Sequence, residues 1–377
     1  MNCGASFVTD DGTAADAARL FSPQRLRLAR EARGLTQTGL SRLIGTSAAA
    51  VSQFEKADAR PSASTVALLA QALSFPAGFF AVGSSPSSRA DGDPDTLDGH
   101  GHFRSLRSVT AAQRRQALSV TQLVRDMADA LSRHVRLPDP AVPLLAAGAG
   151  DLAAAEERAA TVRRAWGVPP GPVTDVIQVA ERHGIVTARQ RIPAPTISGY
   201  SVPFPERPVV IVGRDGAKRD RDRFSVSHEI GHLVMHEAGS SLASKETEAQ
   251  ANRFASAFLL PADEIRDQLP PVPDWVQLLT LKQRWHVSLS ALLRRASDLG
   301  VMSDQVYGQA MRTVGARGWR ISEPGDLGAP ESPRVLALAI ETAGAGTASL
   351  AAETGWPATL IEEVVAASAD SRPALEI

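Results

Sequence analysis

The sequence predicts a multidomain chain that is mainly α with one small α+β domain, and three observations carry that prediction. Residues 22–80 break into four short helical units separated by glycine and proline punctuation. Three β-like runs, at 185–188, 197–202 and 209–212, lie close together in mid-chain, too few and too short for anything but a small sheet. Directly after them His228-Glu229-Ile230-Gly231-His232 stands in a helical context. A length of 377 residues favours two or three domains over one core, and a hydrophobic fraction of 44% is that of a folded chain. A formal net charge of -1 excludes a uniformly basic coat for nucleic acid, so any such surface has to be local. Cys3 is the single cysteine, which rules out an internal disulfide and a metal held by thiolates. No apolar run approaches the membrane-spanning length, and Met1 to Asp16 lacks the pattern of a secretory signal. The expectation is a cytoplasmic protein with no membrane partner.

Residues 1–20 read as a mobile N-terminus and 21–82 as a four- to five-helix bundle. Ser22-Pro23 caps and opens a first helix that Gly34 ends. Thr36 caps a second, carrying Leu40, Leu43 and Ile44 and stopped by Gly45. Ser47 caps a third whose inner face is Val51 and Phe54; after Arg60-Pro61 a fourth presents Val66, Leu69 and Leu73. From Phe21 to Arg60 seven Lys/Arg stand against three Asp/Glu, a local excess suited to phosphate. The run Arg25-Leu26-Arg27, Gly34-Leu35-Thr36-Gln37, Leu43-Ile44-Gly45-Thr46-Ser47, Val51 to Lys56 and Arg60-Pro61-Ser62 resembles the phage-repressor-like (XRE, Cro/C1-type) helix-turn-helix family. That resemblance implies double-stranded DNA as partner, a homodimer, and a third helix, Ser47 to Glu55, entering the major groove. The expected DNA-binding residues are Gln37, Ser47, Ala48, Ala49, Ser52, Gln53, Lys56 and Arg60. Ala48 and Ala49 offer only an apolar touch to a thymine methyl, which leaves Gln53 as the side chain able to pair with a base edge.

Ser, Gly and Asp dominate 83–102, which reads as a flexible linker, and 103–150 as a helical connector. Its first part carries Arg104, Arg107, Arg114, Arg115, Arg125, Arg133 and Arg136, which fits a connecting helix or a second basic surface. A domain over 151–265 follows, with a helix to Trp166 stopped by Gly167 and the 169–172 Pro/Gly cluster, then a helix around Val173 to His183 and the three β-like runs.

In the metal motif the histidines at i and i+4 share one helix face and can reach a single Zn²⁺, with Glu229 placed to take a proton from its water. A catalytic zinc site needs a third protein ligand, and Glu246 and Glu248 compete for the position on the helix Ser244 to Leu260. Glu248 is favoured because Asn252 lies on its face at i+4, in reach as a supporting residue. His236 continues the ladder but sits about 6 Å further along the axis from His232, which suits a supporting role better than ligation. Tyr200 is a further candidate, for the oxyanion or for packing.

Arg221 to His236, followed by Glu248 to Pro261, resembles the ImmA/IrrE family of metallopeptidases, with Ser227 where alanine is usual and Leu260 where methionine is common. The likeness extends from Arg163-Arg164-Ala165-Trp166-Gly167 through the Gly199-Tyr200 strand. It implies a zincin-like domain with one zinc per chain, hydrolysing a regulatory protein, often a repressor of the same helix-turn-helix class. The segment 266–377, with Trp285 and Trp319 as anchors, resembles the helical C-terminal extension of fused repressor-peptidases. The rival expectation is a transcription factor whose zinc domain senses a ligand or partner without proteolysis. A scaffold without metal is a third.

Overall fold

The computed structural model describes residues 11–81, 110–146, 148, 150–192, 197–236 and 245–369. The expected linker at 83–102, Arg104 and Arg107, the first ten residues and the loop near Gly239 lie outside them. Helices and one small mixed sheet make up two compact units, and neither is a single stretch of chain. The first comprises 1–98, 109–137 and 336–366; the second is built mainly from 138–335.

In the first unit α2 (Pro23–Ala32), α3 (Gln37–Leu43), α4 (Ala48–Glu55) and α5 (Ala63–Leu73) carry the caps the sequence announces. The hydroxyls of Ser22, Thr36 and Ser47 accept from the backbone N–H of Arg25, Gly39 and Ala50, and Gly34 and Gly45 adopt the left-handed φ that stops a helix. Ahead of them, α1 (Asp11–Arg19) occupies residues expected to be mobile. Its alanines make helix cheap, and Ala14 and Ala17 are buried in a helix that packs on α5.

The arginine-rich stretch is neither a connector nor a basic surface but a core helix of this unit, α6 (Ala111–Ser132). Leu118, Leu123, Val124, Met127 and Leu131 are buried among the polar residues, on more than one side of a helix that packs on α2. The tail contributes α15 (Val335–Ala343), α16 (Thr347–Thr354) and α17 (Ala358–Ala369). Trp356 there is fully buried, 5.6 Å from Phe75 and 5.3 Å from Phe79 between ring centres, and its indole N–H donates to Asp126. Residues 336–366 thus pack with the N-terminal helices and not as part of an extension.

The second unit begins with α7 (Leu152–Ala165) and α8 (Val176–Arg182). The strands β1 (Val186–Gln190), β2 (Gly199–Val202) and β3 (Val209–Gly213) follow, in the order β1-β3-β2 with β1 parallel and β2 antiparallel to β3. Among the described residues both β1 and β2 are therefore edges. α9 (Arg219–Met235) lies on β2 and β3, and α10 (Lys245–Leu259) packs on α9 and α7; then come α11 (Ala262–Ile265), α12 (Trp275–Trp285), α13 (Leu289–Asp298) and α14 (Asp304–Ala316). One core joins Val162, Ile177, Ile230, Phe254, Phe258, Leu278, Trp285 and Leu292, so 275–316 completes the same hydrophobic layer as the preceding domain. Trp285 is buried in it, while Trp319 stacks edge-on to Trp275 at 5.2 Å.

Residues 331–334 form a strap across this unit. Glu331 pairs with the fully buried Arg223 of α9 and accepts the backbone N–H groups of Val176 and Ile177, at 2.7 and 3.3 Å. Arg189 of β1 donates to Asp222 and to the Glu331 carbonyl, each at 2.7 Å. Glu181 accepts from Thr187 and from the Arg334 N–H. Burial pushes the Glu181 carboxyl up to about 7, against the opposing pull of the Thr187 and backbone hydrogen bonds. The folded state therefore holds a proton that the unfolded chain releases near its ordinary value, and stability is lost as pH rises from about 4.5 to about 7. Glu181→Gln is expected to flatten that decline by at most about 3 kcal/mol. Urea midpoints between pH 4.5 and 8 measure it; parallel profiles for the two proteins would contradict it.

Candidate functional site

The motif helix α9 and α10 pack closely because Gly231 has no side chain: a Cβ there would meet the Phe254 ring at 3.0 Å. This close approach brings Glu248 of α10 opposite His228 and His232 of α9. The two Nε2 atoms stand 3.0 Å apart; Glu248 Oε1 lies 3.4 Å from His232 Nε2 and its Oε2 3.6 Å from His228 Nε2. Ligand atoms about 2.0–2.2 Å from a tetrahedral zinc stand about 3.3 Å from one another, so the three separations fit that ion.

Chemistry agrees with distance. His228 Nδ1 donates to Asn252 Oδ1 at 3.0 Å, which leaves its Nε2 lone pair turned to the shared space. Burial, reinforced by His232, holds His228 down to about 3, so it is neutral at physiological pH. Glu248 Oε1 is buried without a hydrogen-bond partner. Lone pairs converging on one point, with an orphaned carboxylate oxygen, are what a divalent cation satisfies. Glu246 is exposed and outside this donor group; His236, though buried, is outside it too.

Beside the donors, Glu229 is 2% exposed and accepts the Ser201 hydroxyl at 2.7 Å together with that residue's backbone N–H. Burial pushes its carboxyl up to about 8, Ser201 opposing and Glu248 adding to the rise. A cation among the donors acts in the opposite direction. Ser201, which the sequence does not single out, is the β2 residue that meets Glu229. Alternate strand residues face opposite ways, and on β2 it is Gly199 and Ser201 that face α9. Tyr200, 1% exposed, lies on the other face of the strand. A cleft of about 590 Å³ opens one helical turn before Glu229, lined by Ser198, Phe224, Ser225, Lys218 and Arg221 among others.

In the first unit α4 presents Ala49, Gln53 and Lys56 to solvent, with Ala48 and Ser52 half-buried. The Ser47 hydroxyl is taken by its cap, Gln37 donates to Glu55 at 2.8 Å, and Arg60 donates to the Arg19 carbonyl. Much of the local positive charge is spent internally: Arg27 pairs with Glu31 and Arg30 with Glu55, while Arg25 and Arg33 donate to the backbone of Phe79 and Leu73. Arg42 and Lys56 remain exposed on α3 and at the end of α4.

The helix-turn-helix family matches residues 26–80, and the IrrE N-terminal-like domain of the M78 peptidases matches residues 180–297. The chain carries a helix-turn-helix domain followed by an IrrE-like peptidase domain. No curated protein matches it. The helix-turn-helix domain supports binding of double-stranded DNA, and the IrrE-like domain is metallopeptidase-like, of a family that is typically metal-dependent. The family match ends at 297, before the strap that holds the motif helix. Among the described residues no single helix is long and apolar enough to cross a membrane.

Two residues of the IrrE-like domain escape the sequence reading. For Ser201 the signal is the period of two that sets it on the face of Gly199. Gln250, 1% exposed on α10, donates to the Gly148 carbonyl at 2.6 Å and accepts from His236 at 3.2 Å. The signal for it is a glutamine flanked by Ala249 and Ala251 on an otherwise apolar helix flank, since a buried amide has to find partners.

Proposed function

We propose that this protein is a cytoplasmic transcriptional regulator that binds DNA as a homodimer through α4 and carries a zinc endopeptidase that cleaves a regulatory protein, a helix-turn-helix repressor being the favoured substrate class. The observation that supports it most is the convergence of His228, His232 and Glu248 at zinc spacing with Glu229 buried beside them. A purely structural site takes four protein ligands and has no use for an adjacent base; three ligands leave one position open.

When bound, zinc supplies Lewis acidity that polarises the scissile carbonyl and acidifies a water. His228, His232 and Glu248 are the residues that hold it. The Glu229 carboxylate takes a proton from the attacking water and returns it to the leaving amine, so one C–N bond breaks and two peptides leave. Ser201 keeps Glu229 at hydrogen-bond distance through that exchange. β2 is an edge strand, and an extended substrate can add to it as a further strand while its flanking residues run into the cleft by Phe224.

The reading is tested by zinc stoichiometry and by incubating the zinc-loaded protein with helix-turn-helix repressors encoded near its gene, with cleavage sites mapped by mass spectrometry. One zinc per chain and a discrete cut support it. Zinc bound at that stoichiometry, with every candidate intact and DNA binding altered by a ligand or partner, favours the sensing reading instead.

On the DNA side, Lys56→Ala is expected to weaken binding to a random-sequence duplex and to lower the slope of log K against log salt by about 1. Arg27→Ala leaves the slope unchanged, because that guanidinium is already paired with Glu31. Fluorescence anisotropy across salt concentrations reads both, and identical slopes for Lys56→Ala and wild type would contradict the assignment.

A further inference from the structure

His232, His236 and Gln250 form one continuous chain of hydrogen bonds, and its two ends fix the direction of every bond between them. At the outer end the Gly148 carbonyl can only accept, so the Gln250 amide nitrogen faces it, at 2.6 Å. Gln250 Oε1 is thereby turned to His236 Nε2, 3.2 Å away, and an amide oxygen also can only accept. The proton of a neutral His236 therefore sits on Nε2, leaving Nδ1 as a lone pair. That Nδ1 lies 3.0 Å from His232 Nδ1, so His232 must donate from Nδ1 and its own lone pair is left on Nε2. Nε2 is the atom that faces His228 and Glu248.

We infer that Gln250 and His236 are positioning residues for the metal centre: anchored on the Gly148 carbonyl, they lock His232 in the tautomer whose Nε2 can ligate. The inference rests on the proposed metal site and adds the device that keeps one ligand competent before metal arrives. The opposite tautomer would put a proton on His232 Nε2, pointing into the donor set. His236, 9% exposed, and Gln250, 1% exposed, are enclosed well enough that water does not readily substitute for either partner. His228 has a separate and shorter support in Asn252, so the two ligands are fixed from different positions along α10.

The test uses the full-length protein in two measurements. In the metal-free wild type, long-range ¹⁵N–¹H NMR of labelled histidine, assigned by substitution of single histidines, reads which His232 nitrogen carries the proton. A proton on Nδ1 is expected, and a proton on Nε2 overturns the inference whether or not zinc binds. Gln250→Leu, which keeps volume and removes the anchor, is expected to add an Nε2-protonated population at His232 and to weaken zinc binding roughly 10- to 100-fold in competition with a chelator. His236→Phe is expected to weaken it similarly. A folded Gln250→Leu with unchanged zinc affinity and an unchanged His232 spectrum overturns the inference. Should that variant not fold, the wild-type spectrum decides alone. Failure of the wild type to bind zinc sinks the metal reading while leaving the tautomer result intact.

Discussion

Glu229→Gln is expected to keep its zinc and lose peptide cleavage by roughly 10²- to 10⁴-fold, the range ascribed to a positioned general base. The amide has the shape of the carboxylate, and its oxygen can still accept the Ser201 hydroxyl that holds Glu229 at 2.7 Å. What it cannot do is take a proton from water. Because Glu229 is not among the donors, zinc stoichiometry and affinity should stay close to wild type, which separates this variant from Glu248→Gln, where metal is expected to be lost. Cleavage of a mapped substrate followed alongside zinc content measures both effects. Turnover within a few-fold of wild type would remove Glu229 from the chemistry, and loss of zinc would make it a ligand or a structural support.

Glu331→Ala should destabilise the IrrE-like unit by about 3–5 kcal/mol, because it strands a buried guanidinium. Arg223 is wholly enclosed, its strongest partner is Glu331, and the same carboxylate receives the first N–H groups of α8. The α9 backbone that carries His228 and Glu229 begins one turn before Arg223, so the damage should extend to metal affinity. Arg223→Met combined with Glu331→Leu is expected to recover most of the loss, since a buried ion pair replaced whole by apolar residues is often neutral. Pulse proteolysis in urea reads the stability of all three proteins. A Glu331→Ala cost below about 1 kcal/mol, or a double variant no better than the single one, would show that the pair contributes little.

The parts legible in the sequence are those fixed by neighbours along the chain. Ser22, Thr36 and Ser47 announce their helices because a cap is satisfied within three residues, and His228 and His232 share a face because a helix makes them do so. What escaped depends on partners distant in sequence. Arginines read as a phosphate-seeking excess are consumed by Glu31 and Glu55, and a stretch dense in arginine hides the buried apolar residues of α6. Tyr200 drew attention by its chemistry where Ser201 has the geometry. Glu331, more than a hundred residues from Arg223, has no local signal at all.

The burial of Trp356 against Phe75 and Phe79 bears on how this protein could be switched off. A protease cut anywhere between residues 82 and 109, including one made by the protein's own peptidase, would sever the backbone and release nothing. The helix-turn-helix fragment would still be gripped by α6 and by the tail around Trp356, both on the far side of the nick. Cleavage there would show as two bands on a denaturing gel and as one species, still bound to DNA, on a native one. Freeing the DNA reader takes unfolding of its composite core, and for the same reason an expression fragment ending near residue 82 would bare the Phe75 and Phe79 rings that Trp356 covers in the whole chain.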